Sequence, residues 1–214
     1  NYFLLKIIKM ICFIFNIYFY YYVIMVKIAI SGKMCSGKST LTKKIIEYFE
    51  KEKNIQFTKY SFATGVYKIA RELFSMTVKN RDLLTSIGYN MRLINKNIWI
   101  KDTLNRIKEN RHNFVIIDDL RFQNELNHIK KEFFIIRLNI SKEEQLNRLK
   151  KTYPNTYQNH LNNLNNISET DLDNVNPNVF DINIDVSKYD EESFSSYIIT
   201  KITKTIEITY KLIY

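Results

Sequence analysis

Gly32-Lys33-Met34-Cys35-Ser36-Gly37-Lys38-Ser39 decides how the rest of the chain is read. The segment fits the pattern G-x-x-x-x-G-K-[ST]. Glycines at its two fixed positions let the backbone bend so that successive N–H groups converge on phosphate oxygens. The helix that follows offers its positive N-terminus to the same anion. In that arrangement Lys38 reaches the β- and γ-phosphates of ATP and Ser39 ligates Mg²⁺. Gly32, Lys33, Ser36, Gly37 and Thr40 complete the expected cradle. Gly32 and Gly37 are two of only 4 glycines in the chain, which weighs against an ordinary surface turn before a helix. Cys35 reads as filler and not as a nucleophile, because no His lies near it in sequence.

Outward from this loop, strand-like and helix-like stretches alternate. Residues 26–31 are β-rich. Residues 38–53 space Leu41, Ile45, Ile46 and Phe49 as a helix does. Residues 56–62 alternate like a strand, and 66–74, 81–93 and 98–107 read as helices. Phe114-Val115-Ile116-Ile117 is a continuous apolar run, as in a buried parallel strand, and 133–138 repeats it. Ser141-Lys142-Glu143-Glu144 is a capping box that opens a helix carrying Leu146 and Leu149. Residues 155–166 hold six Asn and read as a mobile loop or a weak helix. Residues 182–186 form a last strand, and 189 to about 205 a last helix. Strands separated by helices imply βαβ units and an α/β protein with a parallel sheet covered on both faces. Joined to the 32–39 loop, the expectation is a three-layer P-loop NTPase fold with about five parallel strands flanked by helices.

The second chemical signal is Val115-Ile116-Ile117-Asp118-Asp119-Leu120-Arg121-Phe122. An acid at the end of a buried strand is where a P-loop fold holds Mg²⁺ or orients the acceptor. Asp118 and Asp119 are both candidates, and alternation does not decide between them. The simpler alternative is that they cap the next turn. Arg121 can hold two phosphate oxygens with one planar guanidinium. A GTPase is disfavoured, because its D-x-x-G would need Gly where Phe122 stands and no N-K-x-D segment exists.

Composition sets wider bounds. With 214 residues, 45% hydrophobic and 25% charged, the chain has the make-up of a globular protein of one to one-and-a-half domains. Its 2 cysteines cannot form a disulfide framework. The net charge of +10 invites anionic partners, but abundant Asn, Lys, Ile, Tyr and Phe is also what A/T-rich codons produce. Residues 168–192 hold eight acids and one Lys, which interrupts any basic stripe, so no stable nucleic-acid complex is expected. His112, His128 and His160 lack metal-ligand spacing and read as surface residues. Residues 1–24 are apolar and aromatic. They read either as a short membrane anchor or as an extension upstream of a domain that spans 25–214, with Met25 as its start. The extension is the simpler reading, since the first strand follows Met25 directly. On that reading the domain is expected in the cytoplasm, with no membrane association of its own.

Several further segments make the chain resemble the deoxynucleoside monophosphate kinases of large DNA phages and viruses. They are Ser61-Phe62-Ala63 with Lys68, Lys79-Asn80-Arg81-Asp82-Leu83-Leu84, Ile87-Gly88 with Met91-Arg92 and Trp99, and Asp119-Leu120-Arg121-Phe122-Gln123-Asn124-Glu125. Ser168-Glu169-Thr170 is similar to a further S-E element, with Asn166 where a His is expected. Val186 stands near where an Asn is expected at the end of the last strand, and Ser39 where an Asp or Thr is frequent. The resemblance implies ATP- and Mg²⁺-dependent phosphorylation of a nucleoside monophosphate, a helical acceptor-binding insertion and a lid. A lid falls on 145–167, with Arg148 as its catalytic cation and Lys150 and Lys151 beside it. It further implies that Lys38, Asp119, Arg121 and Arg148 are catalytic. Lys68, Arg81, Arg92, Trp99 and Arg121 would bind the acceptor, and Ser39 with Asp119 or Asp118 would bind the metal. The location would be the cytoplasm of a host cell, and a homodimer is compatible with this reading. Two alternatives remain: another small-acceptor kinase, similar to dephospho-coenzyme A or thymidylate kinase, and a nucleic-acid-binding NTPase.

Overall fold

Residues 26–213 are described in a computed structural model, with side chains through residue 207. The expectations for residues 1–24 and for Met25 lie outside the described residues.

Apolar runs that bury both of their faces make the centre of the molecule. β1 (Val26–Gly32) lies between β3 (Phe114–Leu120) and β4 (Phe134–Asn139), and β2 (Thr58–Tyr60) and β5 (Ile182–Asp185) close the two sides. The order is β2-β3-β1-β4-β5, and every neighbouring pair is parallel. β2 is shorter than the expected 56–62, because only Thr58, Lys59 and Tyr60 find partners on β3.

Helices cover both faces. α1 (Lys38–Lys53) and α9 (Glu191–Ile213) lie on one of them. Leu41, Ile45 and Phe49 of α1 and Phe194, Ile198, Ile202 and Ile206 of α9 share a core with Ile28, Ile30, Ile116 and Ile136 of the sheet. The four-residue spacing along α9 is one apolar stripe. The opposite face carries α2 (Thr64–Phe74), α3 (Arg81–Ile94), α4 (Ile98–Asn110) and α5 (Gln123–Ile129), whose Val66, Ala70, Ile87, Trp99 and Leu126 pack on Ala29, Ile117 and Ile135. Caps start two helices as their sequences direct: the Asn80 side chain accepts from Leu83 N at 3.0 Å, and Ser141 Oγ from Glu144 N at 3.2 Å, opening α6 (Lys142–Thr152).

The Asn-rich stretch is not a loop. It folds into a 3₁₀ turn at Pro154–Thr156, α7 (Tyr157–Asn162) and the approach to α8 (Ile167–Thr170), which Asn166 caps through Ser168 N at 3.1 Å. His160 sits inside this segment, 5% exposed, with its ring centroid 4.1 Å from that of Tyr153. It is thus not the surface residue its isolation in sequence suggested. Burial holds its pKa below the usual imidazole value, helped by Arg81 and Lys79. Among the described residues no helix is long and apolar enough to cross a membrane.

Candidate functional site

The 32–39 loop leaves β1 at its C-terminal edge and enters α1, as a phosphate-binding turn must. Gly32 packs against β4: a Cβ there would lie 2.7 Å from the Leu138 carbonyl oxygen. Gly37 has φ 91°, and Cys35 adopts a left-handed φ of 63° despite its side chain. α1 has no side-chain cap and no acid in its first turn, so its N–H groups and positive end stay uncompensated. Ser36 Oγ is buried with no hydrogen-bond partner among the described residues.

Lys38 turns back into this loop. Its Nζ donates to Gly32 O at 2.6 Å and to Lys33 O at 2.7 Å. Burial lowers its pKa to about 7, and the nearby Arg121 adds to the shift. Lys33 points away, paired with Asp173 at 2.7 Å. Burial raises the Cys35 thiol pKa, which agrees with an inert filler. Thr40 is half-buried and does not border the cavity described next.

Lys38 and Ser39 open onto a cavity of about 760 Å³ that runs from the loop to α3. Asp118, Asp119, Arg121, Arg81 and Arg92 border the same space. The two acids reach it by a shift of register. β1 advances two residues from Ala29 to Ser31 while β3 advances three, from Ile117 to Leu120. A bulge of this kind re-aims side chains, so strict alternation could not separate Asp118 from Asp119.

Their environments do separate them. Asp119 accepts three hydrogen bonds: Oδ2 from Ser61 Oγ at 2.5 Å and Ala63 N at 3.0 Å, and Oδ1 from Phe62 N at 2.9 Å. Burial raises its pKa against the pull of those bonds. The carboxylate thus ties the turn at 61–63 to the end of β3 while still bordering the cavity. Arg106 Nη2 and Thr103 Oγ1 hold the same turn through Ser61 O, at 3.1 and 3.2 Å. Asp118 is buried with one ion pair, to Lys59 at 2.5 Å. It borders the same cavity as Ser39.

Arg121 donates from Nη1 to Ser168 O at 3.1 Å and to the Glu169 carboxylate. Glu169 also accepts from Met34 N, in the 32–39 loop, at 2.6 Å. Glu125 takes the backbone N–H groups of Arg121 and Phe122 at 2.9 and 3.1 Å, and burial raises its pKa to about 7. Arg92 lies over the Phe122 ring at 4.2 Å and reaches Glu125 at 3.5 Å.

Three expected contributors lie elsewhere. Lys68 is exposed on α2 and does not border the cavity. Trp99 is 4% exposed in the core under α2 and α3, where its Nε1 donates to Gly88 O at 3.2 Å and Gly65 leaves room for its ring. Arg148 pairs with Glu144 at 2.6 Å and reaches Val186 O at 3.4 Å, outside the cavity. Conversely, Lys59 and Glu169 border the cavity without having been singled out for a role. A lysine in a strand and an acid in a four-residue helix carry no spacing signal; for Glu169 the one hint is its place in the S-E element. Among the described residues no three His, Cys, Asp or Glu side chains converge as a metal site.

No family model matches the chain, and no curated protein matches it. Solved structures do match it, two crystal structures among them. An uncharacterized protein from Eubacterium ventriosum ATCC 27560 is 18% identical, over 83% of this chain and 98% of its own, with a TM-score of 0.47. APE1195 is 17% identical, over 85% of this chain and 97% of its own, with a TM-score of 0.51. The second likeness bears on the fold alone: α/β, with a five-stranded all-parallel sheet flanked by helices.

Proposed function

We propose that the protein is a P-loop nucleoside monophosphate kinase, transferring the γ-phosphoryl group of ATP to the 5′-phosphate of a ribo- or deoxynucleoside monophosphate. The observation that carries this reading is the shared cavity. Its volume of about 760 Å³ extends from Lys38 and Ser39 at the loop to Arg81 and Arg92 on α3, with Arg121 between them. That is within the usual range for a small-molecule site. Two anionic groups brought together in one space need cations around them more than a nucleophile.

The chain's residues divide the work. Lys38 exchanges the carbonyls of Gly32 and Lys33 for a phosphate oxygen, which restores the counter-charge that burial denies it. The uncapped N–H groups of α1 add to the same anion. Arg121 keeps Nε and Nη2 free of hydrogen bonds among the described residues, so its fork is open to the acceptor phosphate. Asp119 holds the turn at 61–63 against the sheet and so places α2. In the step itself an acceptor phosphate oxygen bonds to the γ-phosphorus while the bond to the β–γ bridging oxygen breaks and ADP leaves. The segment from α6 to α8, which brings Asn163, Asn166 and Glu169 to the cavity, is proposed as the lid that excludes water.

The donor set fits a Mg²⁺ ion that arrives with the nucleotide better than a resident ion. Ser39 and Asp118 offer one hydroxyl and one carboxylate at the cavity, and the phosphates complete such a shell. When bound, the ion neutralises charge that develops on the phosphates.

A coupled assay with ATP, Mg²⁺ and each of the eight common ribo- and deoxynucleoside monophosphates tests the reading. ADP formation that depends on one or more of them is expected. ATP turnover independent of all eight, or none at all, would overturn it.

A further inference from the structure

Glu169 joins the two ends of the cavity. It lies on α8, its side chain is 4% exposed, and its two oxygens serve different partners. One accepts from Arg121 Nη1, 48 residues away in sequence. The other accepts from Met34 N at 2.6 Å, 135 residues away in the 32–39 loop. A buried staple between loop and lid could have been apolar, because burying a carboxylate is costly unless each oxygen is satisfied. Here each oxygen is satisfied by a group from a different half of the site. The Ser168 carbonyl takes the same Arg121 nitrogen at 3.1 Å. The guanidinium is therefore gripped at one corner only. Its other two nitrogens carry no hydrogen bond among the described residues, on a side chain that is 28% exposed. A free arginine samples many rotamers; one held by Nη1 presents its remaining edge in a single direction.

We propose that Glu169 is a positioning residue, which fixes the orientation of Arg121 and its separation from the 32–39 loop. The inference rests on the kinase reading above and adds a residue to it. Glu169 touches neither reacting phosphate in this account and acts through Arg121, which its bond to Met34 N keeps at a fixed distance from the loop.

The test is a double-mutant cycle of wild type, Glu169→Gln, Arg121→Ala and the double variant. kcat and both KM values are measured with ATP and the monophosphate that wild type turns over fastest. Glutamine keeps the shape but has one acceptor oxygen in place of two. Glu169→Gln should lower kcat on the order of 10–100-fold, with KM for ATP within about threefold of wild type. In the Arg121→Ala background the same substitution should cost less than about twofold, since the residue it serves is gone. A purely structural staple moves the melting temperature and multiplies independently with Arg121→Ala, so additive losses overturn the proposal. So does a faster Glu169→Gln enzyme, which would make the contact inhibitory. If the glutamine variant does not fold, Glu169→Asp retains the charge on a shorter reach: a fall in kcat supports the proposal and wild-type kcat overturns it. Absence of wild-type turnover with all eight monophosphates would remove the kinase reading and this inference together, whereas additivity in an active enzyme removes the inference alone.

Discussion

The two ends of the cavity are built in opposite ways. At the loop, eight consecutive residues from the end of β1 into the start of α1 place Lys38, Ser39 and the open N–H groups, and the helix behind them is anchored by Leu41, Ile45 and Phe49, each at most 1% exposed. At the far end nothing is contiguous. Arg121 is aimed from α8, Arg92 is held by Gly88 and Glu125, and the turn at 61–63 is clasped by Asp119 and Arg106. The helices α2 and α3 and the link between them also leave Leu73, Phe74, Val78, Tyr89, Leu93 and Ile94 exposed. A contiguous site is set by local backbone geometry, so its residues can be changed without unfolding the protein. An assembled site is set by single hydrogen bonds between distant segments, so the same bonds carry both stability and function.

The comparison is broken most directly at Lys38. Lys38→Met should lower kcat on the order of 10²–10³-fold without lowering the melting temperature. The reason is the cost of burying its ammonium. Its folded pKa, about 7, lies below the unfolded value of 10.5, so the folded protein binds fewer protons between those values. Stability from this group alone therefore rises with pH across that window and is lowest below it. Thermal melts from pH 7 to 10 should show that rise in wild type and a flatter profile in Lys38→Met. A large drop in melting temperature would mean that the loop, too, is held by its functional side chain.

Arg121 tests the other end. Arg121→Ala should lose about 2–4 kcal/mol of kcat/KM for the monophosphate, and Arg121→Lys a smaller part of it, because lysine keeps the charge without the fork. ATP binding should be nearly unchanged in both, as titration calorimetry with ATP would read. Wild-type kcat/KM in Arg121→Ala would remove its acceptor role.

Asp119→Asn sharpens the contrast, since it should cost both quantities at once. Replacing one carboxylate oxygen by an NH₂ group leaves a backbone N–H or the Ser61 hydroxyl facing a donor. The expected loss is about 1–3 kcal/mol in denaturant unfolding, together with a KM that rises for the monophosphate more than for ATP. Unchanged stability would show that the 61–63 turn holds itself.

The smallest effect is expected at Trp99. Trp99→Phe removes the bond to Gly88 O and some packing, worth about 1–2 kcal/mol of stability, and should leave the order of preference among monophosphates intact. A changed order would return Trp99 to the base pocket.

The same contrast explains what could be read from the sequence. α1 begins and ends at Lys38 and Lys53, as its apolar spacing required, and the Ser141 cap starts α6 as written. The parallel sheet followed from runs such as Phe114-Val115-Ile116-Ile117, which are too apolar for a half-exposed strand. For the Asn-rich segment the weak helix was one of two readings, and the choice between it and a loop was not legible, because the segment takes its structure from the turns and caps around it. Nor were the different partners of the two aspartates, since a one-residue bulge cancels the alternation on which that inference depends. Trp99 and Lys68 occupy helices whose orientation is set by packing on the sheet, and a lone residue on a helix says little about which way it faces. Glu169 meets its partners across 48 and 135 residues, a distance at which a single sequence has no periodicity to offer.

The order of the strands has one more consequence, for how the folded protein behaves in a crowded solution. Among the described strands the two at the margins, β2 and β5, are the shortest, at 3 and 4 residues, while β1, β3 and β4, at 7, 7 and 6, are flanked on both sides. Unsatisfied backbone along a sheet margin is a template on which another chain can extend the ladder. Here the template is only a few residues long, and β2 carries Lys59 at its middle, drawn toward Asp118. The long isoleucine-rich strands, which would aggregate most readily if laid bare, are reached only after a margin has been stripped away. Resistance to self-association is thus built into the strand order, and its weak points are the brief contacts that hold Thr58, Lys59 and Tyr60 to β3.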